Sequence, residues 1–384
     1  MIKRYTNRKI KQIWSLYRKR SLWEKIELSY LNKILAKEYT LESKVSLLLR
    51  CDESIERYEK ECKHEFVAFL KEMTQRLDKI YGTIYPKCTS YVHYGLTSSD
   101  IIDTAFSIQI QESIEYLLEE THLIHKELDK IINIYKDLKA VGRTHGKHAE
   151  EINYVSRFKQ FKYELQYAEN ELKEAKENLY GKMSGPVGTS SLVYANEALQ
   201  TIKDFNLKPA PFSTQIVPRI YYNKVIFACS LLMSAYERFC TQVRLSAIDE
   251  LNELQEGFFE GQTGSSAMPH KNNPIISENI TGLSRLVKRN LITSIENNNL
   301  WFERDISHSS VERIIYPETF HLCATASKRM HEELLPNLII NYNNIIQNLE
   351  NAKESICSHK DLLEESKTSN RFQAYEKVQK KYYK

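Results

Sequence analysis

The sequence predicts a mainly α protein whose centre is a bundle of long helices, and two observations lead to that prediction. The 384 residues include only 11 glycines and 9 prolines, about 5% of the chain against roughly 12% in average proteins, so few points interrupt a helix. Apolar residues also recur at alternating steps of three and four, as in helices that pack along heptad-like seams. Such seams favour an elongated bundle that buries them within and between subunits.

Four long helices follow from this spacing. The first seam uses steps of three, four or seven and implies a helix of about thirty residues, whereas the next two alternate strictly between three and four. In chain order, the seams span residues 110–135, 154–179, 225–243 and 276–295. Apolar spacing describes a core or an oligomer interface and says nothing about chemistry, so we expect the functional residues in the connecting segments.

Capping residues mark three helix starts. Thr97 followed by Asp100, and Ser309 followed by Glu312, have the spacing of a capping box. Asn273 before a proline has the pattern of an N-cap followed by the first helical residue. Free N–H groups at a helix start, together with Ser or Thr hydroxyls, also form a pocket for a carboxylate or a phosphate. A simple cap remains the alternative at Thr97, and surface ion pairs remain the alternative for Arg304 and Arg313, which flank Ser309.

Composition and charge exclude several classes of protein. The 54 Lys and Arg residues nearly balance the 50 Asp and Glu residues, for a net charge of +4, which does not favour a nucleic-acid partner. The best apolar stretch, residues 225–236, has twelve residues, whereas a membrane span needs about 20. The basic start of the chain has no apolar run like that of a secretory signal. We therefore expect a cytoplasmic protein whose seven cysteines are reduced thiols.

The least ordinary stretch is the loop at residues 257–274, which includes GQTGSSAMPHKNNP. Two glycines loosen its backbone, Ser265 and Ser266 supply hydroxyls, and Lys271 supplies a positive charge. A loop with only a structural role seldom concentrates such donors, whereas a site that stabilises a developing carbanion or oxyanion needs them. The composition therefore predicts a mobile functional loop that leads into a helix.

Two histidines, His145 and His148, lie in the segment GRTHGKHAE. Metal binding is the obvious alternative for such a pair, yet no H-E-x-x-H, cysteine partner or carboxylate cluster supports it. One of the two is better suited to donate a proton near neutral pH. The sequence also lacks a P-loop and a G-x-G-x-x-G after a strand, which disfavours nucleotide triphosphate hydrolysis and hydride transfer.

The motif GSSAMPHKNNP resembles the signature loop of the fumarase/aspartase superfamily of lyases. The opening residues 2–15 and the segments 91–105, 141–150 and 300–315 are similar to the adenylosuccinate lyase branch of that superfamily rather than to fumarase or argininosuccinate lyase. The resemblance is ordered along the chain and extends from residue 2 to about Pro317.

This resemblance implies a three-domain fold with a long central helical bundle. The N-terminal helical domain would span residues 1–96, the central domain residues 97–345, and a short C-terminal helical domain residues 346–384. The resemblance also implies a homotetramer in which three chains contribute to each active site, with no cofactor and no metal ion. The implied reaction is elimination of fumarate from adenylosuccinate, giving AMP, and from SAICAR, giving AICAR.

The resemblance also assigns roles to individual residues. The implied catalytic residues are Ser265, His145, Lys271, Asn273, Glu278 and His64. Ser265 matches the general base, and His145 matches the general acid that Glu278 orients. Lys271 and Asn273 would hold the substrate carboxylate. The residues implied in substrate binding are Arg4, Tyr5, His93, Thr97, Ser98, Gln215, Ser266, Met268, Arg304, Ser309 and Arg313.

Some segments depart from the family pattern. After Gln215 the chain reads PRIYYNKV where an R-D-R-H-A run is usual, and Lys147, Glu151 and Asn272 replace the usual Gln, Pro and Arg. The family also continues beyond QAYEKVQKKYYK, so we expect a short C-terminal domain. Two alternatives therefore stay open: a lyase of the superfamily with another fumarate-releasing substrate, and a non-catalytic helical scaffold.

Overall fold

The computed structural model describes residues 1–40, 45–46, 50–259 and 261–382, and these form a mainly α fold. The helices are α1 (Arg8–Ile13), α2 (Leu16–Glu38), α3 (Asp52–Cys62), α4 (Glu65–Tyr81), α5 (Ser98–Ile134), α6 (Ser156–Glu177), α7 (Ala195–Asp204), α8 (Ile220–Ser246), α9 (Ile275–Glu296), α10 (Ser307–Arg329), α11 (Tyr342–Ile356), α12 (Ser358–Glu365) and α13 (Arg371–Tyr382). The strands are β1 (Lys139–Thr144), β2 (Lys147–Asn153), β3 (Tyr180–Gly181), β4 (Lys208–Pro209), β5 (Leu254–Gln255) and β6 (Ile339–Ile340). The pairs β1–β2 and β5–β6 are antiparallel, and β3–β4 is parallel.

The four predicted seams lie on α5, α6, α8 and α9, which confirms the prediction of long helices. Every predicted seam position at residues 154–179 is buried, and so is every seam position at residues 225–243. The fourth seam ends earlier than the spacing predicts, because Leu291 is partly exposed and Ile295 is 52% exposed at the end of α9.

The helix start predicted at Thr97 is confirmed, whereas the start predicted at Ser309 is wrong. Thr97 N–H donates to Asp100 Oδ2 at 2.8 Å, and α5 begins at the next residue. Helix α10 begins two residues before Ser309. Its first N–H donates to Asp305 Oδ1 at 2.8 Å. An acid just before the helix therefore caps it, so no capping box at Ser309 is needed.

The N-cap predicted at Asn273 is also wrong. Helix α9 begins two residues later, and the N–H groups of Ile276 and Ser277 donate to the Glu256 carboxylate at 3.0 and 2.7 Å. Asn273 instead donates its side-chain amide to the Gly264 carbonyl at 3.0 Å. A carboxylate is a stronger acceptor than an amide oxygen, which is why a distant Glu takes the capping position.

The chain divides into two compact units that each draw on three segments. The first unit consists of Met1–Leu118, Glu169–Leu231 and Leu286–Thr325. The second consists of Glu119–Ala168, Leu232–Arg285 and Ala326–Lys384. The three-domain division at residues 96 and 345 stays a prediction.

Aromatic packing builds the interior of each unit. In the first unit, the Trp14 ring packs against the rings of Phe106 and Phe320 at centroid distances of 5.7 and 6.0 Å. In the second, Phe161 stacks on Phe239 with centroids 4.4 Å apart. Such aromatic pairs contribute about 1 kcal/mol each beyond the area they bury. Over the described residues, none of the helices combines the length and the hydropathy of a bilayer-spanning segment.

A buried histidine ties the start of the chain to α10 in the first unit. His321 is 6% exposed, and its Nδ1 accepts from Asn7 N–H at 3.1 Å. Asn7 in turn caps α1, since its Oδ1 accepts from Lys9 N–H and Ile10 N–H. Burial lowers the pKa of His321 from 6.5 to about 4. The neutral imidazole is therefore the form that holds Asn7.

We expect the fold to lose stability with acid because of His321. Its pKa is higher in the unfolded chain than in the folded one, so its stabilising effect is complete above pH 6.5 and is lost as the pH falls towards 4. The loss amounts to about 3 kcal/mol in the free energy of unfolding. Urea unfolding between pH 7 and pH 4 measures it. In the control His321→Asn, an amide oxygen replaces Nδ1 and cannot titrate, so this variant should lose less stability over the same range. An equal loss in both chains contradicts the assignment.

Candidate functional site

The N-terminus of α5 carries two of the predicted binding residues. Thr97 and Ser98 are partly exposed, while Asp100 in the first turn is fully buried. The bond from Thr97 N–H to Asp100 fixes the turn that enters the helix. Free N–H groups and two hydroxyls at a helix start form an arrangement that binds a carboxylate.

Asp100 also holds this turn against the loop at residues 182–185. Its Oδ1 accepts from Ser184 N–H at 2.9 Å, and its Oδ2 accepts from Gly185 N–H at 3.1 Å. Lys182 Nζ forms an ion pair with Oδ1, and neither side chain is exposed. A buried pair of this kind is costly to break, because the remaining charge has no partner.

The two further predicted histidines lie in different surroundings. His93 has a positive φ of 56°, its Nδ1 lies 2.6 Å from the buried carboxylate of Glu27, and its ring packs on Phe66 with centroids 5.2 Å apart. The ring of His93 is therefore firmly held. His64 is exposed and caps α4, because its Nδ1 accepts from Val67 N–H at 3.3 Å. The catalytic role of His64 stays a prediction.

A second group of predicted binding residues lies around the start of α10. Arg304 Nη1 donates to Gln215 Oε1 at 2.8 Å, so the structure brings these two predicted residues together. Ser309 is partly exposed and Arg313 is exposed in the first two turns of the helix. Cations and a hydroxyl near a helix N-terminus form a suitable environment for a phosphate.

The start of the chain supplies the predicted residues Arg4 and Tyr5. Both lie in a short 3₁₀ turn, Lys3–Tyr5. Arg4 is exposed and Tyr5 is partly exposed. The turn is attached to α10, since Thr325 Oγ1 donates to the Tyr5 carbonyl at 3.3 Å. A cation is thus held close to the body of the first unit.

The signature loop belongs to the second unit, and its geometry centres on Ser265. Ser265 Oγ accepts hydrogen bonds from Ala267 N–H at 3.3 Å and from Met268 N–H at 3.1 Å. Ser265 is partly exposed, while Ser266 and Met268 are exposed. Two backbone N–H groups directed at one oxygen lower the cost of placing negative charge on it. The loop therefore directs two donors at the Ser265 oxygen, and the role of Ser265 as a base stays a prediction.

Close backbone approach shapes this loop. Asn273 donates to the Gly264 carbonyl at 3.0 Å, and Lys271 N–H donates to the Met268 carbonyl at 3.1 Å. The Lys271 side chain is exposed. A Cβ added at Gly264 would lie 2.2 Å from the Lys271 carbonyl oxygen. Only glycine therefore permits the observed path of the loop beside Lys271.

We expect Gly264→Ala to lower turnover in the elimination reaction that the sequence resemblance implies by about a hundredfold. The loop must shift to relieve the contact of the new Cβ with the Lys271 carbonyl oxygen, and a small misplacement of reacting groups slows a reaction strongly. Gly282→Ala is the matched control. A Cβ at Gly282 meets no atom within 4 Å, and alanine favours the interior of α9 by about 0.5–1 kcal/mol. Steady-state turnover and urea unfolding of both variants measure the effects. Wild-type turnover in Gly264→Ala would show that chemistry does not depend on this loop path.

His145 lies at the tip of the β1–β2 hairpin. His145 and Gly146 have φ values of 53° and 76°, as in a two-residue type I′ turn. Val141 of this hairpin packs against Leu349 of α11, which supports the strands. His145 is exposed, as is Glu278 in the first turn of α9. Among the described residues no hydrogen bond joins the two side chains, and the orientation of His145 by Glu278 stays a prediction.

His148 is the other candidate proton donor of this hairpin. Its Nδ1 lies 3.4 Å from Ser355 Oγ, and desolvation together with the charge of Arg143 lowers its pKa. A lowered pKa leaves less of the imidazolium form of His148 near neutral pH, which does not favour a role as proton donor there. The part of the chain that the structure describes contains no cluster of three or more His, Cys, Asp or Glu side chains suited to hold a metal ion.

Sequence reasoning missed three residues that support these groups, namely Lys182, Glu256 and His308. Lys182 pairs with a carboxylate 82 residues earlier, and Glu256 caps a helix that begins after the signature loop. Neither partnership has a local pattern. His308 did have a signal, because it lies four residues before Glu312 in α10, which places the two on one helical face.

Comparison with known proteins gives the class of this fold and site. A family model described as Lyase matches residues 34–288. Adenylosuccinate lyase from Aquifex aeolicus (strain VF5) is 36% identical over 99% of this chain and 87% of that protein. Adenylosuccinate lyase from Thermotoga maritima is 32% identical over 99% of this chain and 88% of that protein. The crystal structure of fumarate lyase from Mesorhizobium sp. BNC1 has a TM-score of 0.78 at 16% identity, over 97% of this chain and 85% of that one.

The chain belongs to this lyase family. The fold is of the mainly α fumarase/aspartase type that the signature loop implies, as the likeness to the solved fumarate lyase shows. The two relatives named above are adenylosuccinate lyases, and each is matched over nearly the whole chain. The resemblance of the sequence to this branch is therefore confirmed.

Proposed function

We propose that the chain eliminates fumarate from adenylosuccinate, giving AMP, and from SAICAR, giving AICAR, in purine nucleotide biosynthesis. The observation that carries the proposal is the environment of Ser265, whose Oγ accepts from two backbone N–H groups. An unassisted serine hydroxyl is a poor base at neutral pH, and such donors favour its anion. Sequence similarity to adenylosuccinate lyases supports adenylosuccinate as the substrate.

In the proposed reaction, the Ser265 oxygen takes the proton from the substrate carbon next to a carboxylate. The electron pair left on carbon moves into that carboxylate, and Lys271 and Asn273 hold the resulting second negative charge. The pair then returns to form the double bond of fumarate as the carbon–nitrogen bond breaks. His145 gives a proton to the leaving nitrogen, and Glu278 orients its imidazole. One proton thus moves from carbon to serine and another from histidine to nitrogen.

The proposed binding residues form groups that bind different parts of the substrate. Thr97 and Ser98, at the start of α5, take a succinyl carboxylate. Arg304, held by Gln215, takes the nucleotide phosphate. The remaining proposed contacts to the substrate are Arg4, Tyr5, His93, Ser266, Met268, Ser309 and Arg313, and His64 is a further proposed catalytic residue.

We propose that the protein acts in the cytoplasm as a homotetramer with active sites shared between three chains. His145, Lys271 and Glu278 are exposed in the single chain, which suits catalytic groups that a neighbouring subunit covers. The long seams suit a bundle that helices of all subunits form. Light scattering of the purified protein should give four times the mass of one chain. A monomer with full turnover contradicts shared sites.

The proposed reaction is tested by mixing purified protein with adenylosuccinate and following the absorbance change as AMP forms. Turnover with adenylosuccinate and SAICAR, and none with argininosuccinate, aspartate or malate, is the expected result. Preferential turnover of one of the other three substrates indicates a different lyase of the superfamily. Binding of adenylosuccinate without turnover at high enzyme concentration indicates the non-catalytic scaffold.

A further inference from the structure

A series of side chains connects Arg304 with the interior of the first unit. Arg304 Nε donates to His308 Nε2 at 3.3 Å, and His308 Nδ1 lies 3.0 Å from Glu312 Oε2. A guanidinium only donates hydrogen bonds, so His308 Nε2 must be the acceptor and the imidazole proton must lie on Nδ1. The network therefore holds His308 as the neutral Nδ1–H tautomer.

Buried charges anchor the far end of this series. Glu312 Oε1 lies 3.4 Å from Arg219 Nε, and Arg219 Nη2 donates to both oxygens of Asp103 at 2.9 and 2.8 Å. The Arg219 side chain is 1% exposed, and His308 and Glu312 are buried. A carboxylate fixed in this way is a rigid acceptor for the imidazole N–H.

The acceptors that hold Arg304 are both neutral. Its Nη1 donates to the amide oxygen of Gln215 at 2.8 Å, and its Nε donates to His308. Among the described residues its Nη2 has no hydrogen-bond partner. Burial lowers the pKa of Arg304, as expected for a cation without a carboxylate in direct contact. Two neutral acceptors therefore orient the guanidinium and leave its charge for an incoming anion.

We propose that His308 is a positioning residue that, fixed by Glu312, presents Arg304 to the phosphate of a purine nucleotide without neutralising its charge. The identity of the anion rests on the proposed function. A carboxylate at position 308 would pair with Arg304 and compete with the phosphate. A neutral imidazole avoids this competition and still accepts the Nε–H.

Two variants at one position test this role. In His308→Gln the amide oxygen can reach the place of Nε2 and accept from Arg304. In His308→Asn the shorter amide can still donate to Glu312, but it cannot reach Arg304. We expect His308→Asn to weaken AMP binding by about tenfold and His308→Gln by less than about threefold. Calorimetric titration of the full chain with AMP, and with adenosine as the ligand without phosphate, measures this.

The background of Arg304→Met separates positioning from general structural damage. Adding His308→Asn to Arg304→Met should change AMP binding by less than about twofold, because nothing is left to position. In steady-state assays of His308→Asn, KM for adenylosuccinate should rise while kcat stays within about twofold. Equal weakening by His308→Asn with and without Arg304, or equal weakening for adenosine and AMP, overturns the proposal.

These results are independent of turnover. A wild-type chain that binds AMP and shows no turnover contradicts the proposed function but leaves the comparison of Gln and Asn at position 308 intact. Conversely, full turnover with equal AMP affinity in both variants supports the proposed function and overturns the positioning role of His308.

Discussion

Ser265→Ala is expected to lower turnover of adenylosuccinate by about a thousandfold or more, since general-base catalysis alone contributes about 10²–10⁴. The variant removes the oxygen that accepts hydrogen bonds from the Ala267 and Met268 N–H groups, and this oxygen is the proposed base. Ser265 is partly exposed, so substitution removes little packing and the free energy of unfolding should change by less than about 0.5 kcal/mol. Turnover by absorbance and unfolding in urea measure the two effects.

Thr263→Val is the matched control for Ser265→Ala. Thr263 lies in the same loop and is exposed, and valine removes its hydroxyl at nearly constant volume. Turnover of Thr263→Val should stay within about twofold of wild type, because surface substitutions away from specific contacts have small effects. If Ser265→Ala turns over as fast as this control, the loop hydroxyl is not the base.

The second large effect is expected for Asp100→Asn, which should lower the free energy of unfolding by about 3–5 kcal/mol. An amide cannot neutralise Lys182, and the pair has no exposure to water that would compensate. The amide also offers one acceptor oxygen, whereas Asp100 uses both oxygens for the N–H groups of Thr97, Ser184 and Gly185. Turnover should fall as well, because the start of α5 loses its support.

Asp129→Asn provides the comparison for Asp100→Asn. Asp129 also pairs with a lysine, Lys162, but its side chain is 52% exposed. Exposed pairs contribute about 0–1 kcal/mol, so this variant should be nearly as stable as wild type. Urea unfolding at pH 7 compares the two. If Asp100→Asn lowers the free energy of unfolding by less than about 1 kcal/mol, the charge of Lys182 is stabilised by groups other than the Asp100 carboxylate.

The helices were predictable because their signal is local. Every seam position predicted at residues 154–179 and 225–243 is buried, since consecutive turns of one helix present the same face. Ile295 is exposed although it continues the spacing, because the packing partner of a seam can end before the apolar spacing does. The capping box at Thr97 was predictable for the same reason, as both of its partners lie within one turn.

The errors at helix starts have a common physical cause. At Ser309 and Asn273 the sequence offers acceptable local caps, yet stronger carboxylate acceptors occupy the ends of the helices. Asp305 lies just before α10, whereas Glu256 reaches α9 from 20 residues earlier. A capping group competes with every nearby acceptor. Asp305 is a local competitor that the capping-box pattern does not include, whereas Glu256 is brought near only by the fold.

The chemical groups of the loop and hairpin could be identified from consecutive residues. Hydroxyls, amides, an ammonium and imidazoles have the same chemical capabilities whatever the fold. Those residues predicted a functional loop and a proton donor, whereas the lyase followed from the resemblance of the motif to the signature loop of the superfamily. The partnerships of the buried charges, Asp100 with Lys182 and Asp103 with Arg219, exist only after distant segments meet. The pairing of ionic groups depends on burial and on distance, because an ion pair forms only between groups that the fold brings together. These quantities are defined only when the chain is folded.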